Sequence, residues 1–118
     1  MADKKTEADF EKRIVQKIYD SIANLDGISK LVGGGFTDNL TNTILGRESF
    51  IPGIWIDKAK DKYLIGIRIK VFYGINIPQL SYDIQTRAKS SLSEDELELI
   101  KSINISVEGI DKAGDIND

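Results

Sequence analysis

Tyr63, Ile65, Ile67, Ile69, Val71 and Tyr73 occupy every second position of one uninterrupted run, with Leu64, Gly66, Arg68, Lys70 and Phe72 between them. A period of two is the period of a β-strand, whose successive side chains point to opposite faces. Eleven residues at this rise span about 36 Å. A strand this long needs backbone partners along its length and a cover for its apolar face. The run excludes an all-helical bundle and makes a sheet the organising element.

The flanking segments supply the cover. Phe10, Ile14, Ile18, Ile22 and Leu25 recur on one helical face, which predicts a helix over residues 7–25. Asp26-Gly27 is a stop, because Gly takes the left-handed conformation that often follows a helix. Gly74 ends the long strand and Pro78 suits the first turn of a second helix. That helix carries Leu80, Ile84, Ala88 and Leu92 as its apolar stripe. Ser93-Glu94-Asp95-Glu96 has the spacing of a capping box and predicts a further helical turn to about Leu99. Ile103, Ile105 and Val107 then alternate with Ser102, Asn104, Ser106 and Glu108 as a last strand. Gly53-Ile54-Trp55-Ile56-Asp57 reads as a short first strand, joined to the long one by a polar turn over residues 57–62. Six of the ten glycines fall in residues 27–53. The expected element there is a Gly-rich connection over residues 26–53. Gly33, Gly34 and Gly35 act as hinge, and Phe36, Leu40 and Ile44 form a short flap helix. Residues 111–118 are expected to be a frayed acidic tail.

The expected fold is a single α+β domain over residues 1–118. It is a two-layer sandwich with a three-stranded sheet and helices on one face, in the order α-(α)-β-β-α-β. The strand before the hairpin turn is placed in the middle of that sheet. The crossover from the long strand through the helix to the last strand should be right-handed. One sheet face is left uncovered. By alternation it carries Trp55, Leu64, Arg68, Lys70, Phe72, Asn104, Ser106 and Glu108. Aromatics and Arg are favoured in protein interfaces, so Trp55, Arg68, Lys70 and Phe72 are the expected protein-contact residues.

Composition narrows the chemistry. The chain has 118 residues and neither His nor Cys. There is no imidazole base, thiolate nucleophile, disulfide or ordinary zinc site. Gly33-Gly34-Gly35 lacks the Lys-Ser/Thr pair of a phosphate loop and follows a helix, not a strand. Asp57 and Asp61 are interleaved with Lys58, Lys60 and Lys62, which repel a cation. Glu94, Asp95, Glu96 and Glu98 sit at a helix start, where carboxylates favour the positive dipole end. No catalytic, cofactor-binding or metal-binding residue is therefore assigned. No small-molecule substrate is expected, and the protein is read as not an enzyme.

Charge is uneven: net −1 over residues 1–50, +4 over 51–92 and −6 over 93–118, for a total of −3. This pattern suits a solvated surface or contacts between complementary ends. The order helix, two strands, helix, short helix, strand also matches one form of the KH domain, an RNA-binding module with a Gly-x-x-Gly phosphate clamp. The corresponding stretch here, Leu92-Ser93-Glu94-Asp95, is acidic and has no glycine, which argues against nucleic acid. The first residues have no apolar core of a signal peptide, and no stretch reaches the ~18 apolar residues needed to cross a bilayer. The expected location is cytoplasmic, without direct membrane insertion.

The run Ile67-Arg68-Ile69-Lys70-Val71-Phe72-Tyr73-Gly74-Ile75-Asn76-Ile77-Pro78 resembles the core signature of the alkaline shock protein family, also called the Gls-type envelope stress response family. Ile84-Gln85 is similar to the helical Ile-Gln that follows in that family, and residues 102–110 resemble its closing strand. Asp26-Gly27-Ile28 with Leu31-Val32-Gly33-Gly34, and Pro52-Gly53-Ile54, resemble its upstream segments. The chain departs from the pattern at Glu94 to Leu99, where relatives carry Thr-Gly. The resemblance implies a non-enzymatic envelope stress protein of Gram-positive bacteria. It would be a scaffold or interaction module, peripheral to the membrane through a small membrane-anchored protein partner, and self-associating in some relatives.

Overall fold

In a computed structural model, which describes residues 4–33 and 51–112, the chain folds as helix α1 (Lys4–Ile22), strands β1 (Ile28–Leu31), β2 (Ile54–Ala59) and β3 (Lys62–Phe72), helices α2 (Ile77–Ser90) and α3 (Glu94–Glu98), and strand β4 (Ile100–Asp111). This is the expected α+β sandwich of two layers, but its sheet has four strands, not three. Gly34, Gly35 and the expected flap helix lie outside the described residues, as does the tail beyond Lys112.

The long strand is the centre of the sheet. β4 runs parallel to β3 along nearly all of it, from Tyr63↔Ile100 to Phe72↔Asp111. Two short strands share the other edge. β2 pairs antiparallel with residues 62–67, and β1 pairs antiparallel with residues 69–71. They meet at Arg68, whose N–H donates to the Gly53 carbonyl at 2.8 Å and whose carbonyl accepts from the Val32 N–H at 2.9 Å. The expected placement of β2 in the middle is therefore corrected. Six residues cannot template two long neighbours, whereas eleven can take one full-length partner and two short ones.

β1 is the strand missed in the Gly-rich connection. A bulge between Ile28 and Lys30 adds a residue and shifts the alternation. Ile28 and Leu31, three apart, thereby both face the core side, opposite Val71 and Ile69. A period-two pattern cannot register such a strand. The hairpin is also tighter than expected: β2 continues to Ala59, and only Lys60 and Asp61 make the turn, with Lys60 at φ 62°. At the other end β4 includes Asp111, the first residue of the expected tail. Its carbonyl accepts from the Tyr73 N–H at 2.8 Å, and its carboxylate accepts from the Ser29 hydroxyl at 2.7 Å, bridging the two strands that flank β3.

All the apolar helix stripes converge on one sheet face. Ile14, Val15, Ile18 and Ile22 of α1 and Leu80, Ile84 and Ala88 of α2 form one buried cluster with Ile54, Ile65, Ile67, Ile69, Val71 and Ile103. Burying each Ile contributes about 2 kcal/mol. α2 starts as expected with Pro78 in the first turn; the structure adds a cap, the Asn76 side chain accepting from the Gln79 N–H at 3.0 Å.

The capping box also forms. Ser93 Oγ accepts from the Glu96 N–H, while Glu96 Oε1 accepts from the Ser93 N–H at 2.9 Å. Glu96 does more than cap. It is buried and pairs with Arg13 Nε at 3.0 Å and Lys17 Nζ at 2.9 Å, tying α3 to α1. Burial pushes its carboxyl up, but the Ser93 N–H, Lys17 and Arg13 together outweigh that and lower it from 4.5 to about 2.

Candidate functional site

The strand registers assemble the second sheet face. Trp55 lies opposite Gly66 across the β2–β3 hairpin. On the other side of β3, Gly66 pairs with Asn104 and Arg68 with Ser106. The even positions of β3, together with Trp55, Asn104 and Ser106, thus share one face, as alternation predicted. Trp55, Leu64 and Phe72 are absent from the core cluster and from the residues packed around it. They belong to a separate surface behind the sheet.

Trp55 is held in a defined pose by a glycine. A Cβ placed on Gly66 would fall 2.2 Å from Trp55 Cε2 and Cζ2 and 2.6 Å from Nε1. The indole therefore lies across β3 in the space where a side chain at position 66 would stand. It is 38% exposed, so its outer surface remains available. A second glycine works in the same way: a Cβ on Gly109 would meet the Lys70 side chain, with Cε at 3.3 Å. The Lys70 stem lies over β4 and leaves its ammonium at the surface. Arg68, Lys70 and Phe72 are half-buried. The result is a shallow, flattened face with one large aromatic laid down upon it, two cations, Phe72 and short polar groups.

The face is built from all three regions that alternation pointed to, and the four expected contact residues stand on it together. Of the three expected hinge glycines, Gly33 is the one within the described residues; it lies two residues past β1, where a Cβ would meet Pro52 at 3.1 Å. Gly66 was not singled out by sequence. The only available signal was a glycine inside the longest apolar alternation, a position that weakens a strand unless another group approaches closely.

Elsewhere, a groove of about 410 Å³ lies between α2, α3 and β4, lined in part by Gln85, Lys89, Leu97, Ile100 and Lys101. The turn into α3 carries exposed Glu94 and Asp95 at the place where a KH domain would clamp phosphate. Among the described residues, no group of three or more Asp or Glu could hold a metal ion. No described helix is long and apolar enough to cross a membrane.

The long strand, the Tyr73-Gly74 stop, the helix entered through Pro78 and the closing strand follow one another in the order of the sequence segments that resemble the alkaline shock signature. One family model matches residues 1–112. The chain belongs to the alkaline shock protein 23 family, whose function is cell envelope-related. Among curated relatives of this family, the chain is similar to the uncharacterized protein YloU of Bacillus subtilis (strain 168), with 30% identity over 73 residues, 62% of this chain and 60% of YloU. The chain thus matches less than two thirds of that relative's length. No solved structure matches it.

Proposed function

We propose that this member of the alkaline shock protein 23 family is a non-enzymatic scaffold module. It is recruited to the inner face of the membrane by a membrane-anchored protein that docks on the open sheet face, and its copies associate with one another. On this reading the protein is cytoplasmic and peripheral to the membrane. The observation that carries the proposal is the pose of Trp55. A large aromatic lies outside the core, laid over Gly66 with its outer surface exposed, beside Arg68, Lys70 and Phe72. Pre-positioned aromatics flanked by Arg are the groups that dominate protein interfaces, because little rotamer entropy remains to be lost on binding.

The test is capture from a detergent-solubilised lysate with the wild-type chain and with the double variant Trp55→Ala, Phe72→Ser, assaying bound protein and nucleic acid separately. The expected result is a membrane-anchored protein held by the wild type and reduced at least tenfold with the folded double variant. Equal capture by both would overturn the assignment of the face. Recovery of RNA that is lost at high salt would replace the reading with the KH-like one.

A further inference from the structure

The outer edge of β4 and the groove beside it remain outside this account. Among the described residues β4 pairs only with β3, so no described strand pairs with its other edge. Irregularities in the β3–β4 register fall between Tyr63 and Leu64 and between Ile69 and Lys70. They bracket a regular stretch from Ser102 to Val107. The carbonyls of Leu99 and Asp111 accept from the N–H groups of Tyr63 and Tyr73, at the two ends of the long strand. The Ile103 carbonyl instead accepts from Gln85 Nε2 at 3.0 Å and so points off the ladder. Alternation then turns the backbone groups of Ile105 and Val107 to the same outer side. Gln85 belongs to the Ile84-Gln85 pair that the sequence singled out, and it occupies only one of the two lone pairs of that carbonyl.

Two further observations lie at opposite ends of this strand. Ile110, near its end, is 57% exposed, a large apolar side chain left more than half open. Near its start, the groove has Leu97, Ile100 and Ile103 among its lining, flanked by Lys89 and Lys101. Ile110 pairs with Val71 and Ile100 with Tyr63, so both are on the helix side of the sheet. Within one chain they are at opposite ends of the strand.

We infer that the outer edge of β4 pairs antiparallel with β4 of a second copy about a twofold axis at Ile105, seating Ile110 of each copy in the Leu97–Ile100 groove of the other. The edge is complementary to itself in this register. Ile103 faces Val107, Asn104 faces Ser106, and the Lys101 end of one copy lies beside Glu108 of the other. Apolar side chains meet on the helix side and short polar ones on the open side, as cross-strand pairing requires. Moving the axis to Ile103 or Val107 would run one end of the regular stretch into an irregularity. The pairing deepens the self-association in the reading above and rests on it. It joins two sheets into one and brings two Trp55 faces into a common surface, so that an anchored partner would be engaged with avidity.

The absence of native cysteine makes the test direct. Asn104 and Ser106 would face each other in a non-hydrogen-bonded pair, with Cα atoms about 4.5 Å apart, within disulfide reach. Asn104→Cys protein and Ser106→Cys protein are mixed and oxidised, and each is also oxidised alone. The expected result is disulfide-linked dimer forming at least tenfold faster in the mixture than in either protein alone. Adding Ile110→Glu to both should slow it at least tenfold, whereas adding Trp55→Ala with Phe72→Ser should leave it unchanged. No excess in the mixture would overturn the edge pairing. Loss of cross-linking with the Trp55 and Phe72 changes would also overturn it, by placing the self-contact on the open face. Because the partner capture described above does not depend on this cross-link, failure of the edge and failure of the open face are separately visible.

Discussion

The two faces of one sheet are made by the same strands and differ in almost every physical respect. On the helix side, β3 presents Tyr63, Ile65, Ile67, Ile69 and Val71, all buried. On the other side it presents Leu64, Gly66, Arg68, Lys70 and Phe72, of which only the glycine is buried, under the Trp55 ring. The contrast extends to the charges. Glu96, in the helix layer, is enclosed and satisfied by three donors, whereas the Lys70 stem lies flat on Gly109 and carries its charge to solvent. The packed face fixes the fold, and the open face is shaped without being needed for it. Glycines under Trp55 and Lys70 flatten that face at a cost in strand propensity, a trade that makes sense for a contact surface.

The comparison can be broken most forcefully from the packed side. Ile67→Ala should cost about 2–4 kcal/mol, because it leaves a cavity between β3 and the helices; urea unfolding measures it, and a loss under about 1 kcal/mol would mean this face is not the core. Next is the clamp between α1 and α3. The Glu96 carboxyl lies at about 2 in the folded protein against an ordinary 4.5, a difference worth roughly 3 kcal/mol. Since the folded value is the lower one, this stability is fully present above the ordinary value and is lost as pH falls through about 2. Glu96→Gln should remove that part of the acid dependence, as followed by thermal unfolding between pH 5 and pH 2. The smallest effect belongs to the open face. The Trp55→Ala, Phe72→Ser variant should lose only about 1–2 kcal/mol, less than the single Ile67→Ala change, because both groups are already partly solvated; circular dichroism during urea unfolding checks it.

The same contrast explains what the sequence disclosed. Tyr63–Tyr73 is visible because one face is dry, and dryness imposes a period. The α1 stripe through Ile14, Ile18 and Ile22 and the α2 stripe through Leu80, Ile84 and Ala88 are visible for the same reason. Ser93 is legible because a capping box acts over three residues. β1 is not, because a bulge changes its period and it has only four residues to show one. The position of β3 at the centre depends on which strands pair with it, and pairing is a property of distant segments. Glu96 looked like a helix cap and is one, but its partners Arg13 and Lys17 lie on the first helix, some 80 residues away. The open face was legible as a set of residues, while the way Gly66 sets the pose of Trp55 required the hairpin register.

Trp55 is the sole tryptophan, so its fluorescence reports on the open face alone. Acrylamide quenching should be measured for the free protein and again in complex with the membrane-anchored partner proposed above. Ready quenching in the free protein and at least fivefold weaker quenching in the complex is the predicted result. Equal quenching in both states would contradict the claim that this face is where the partner binds.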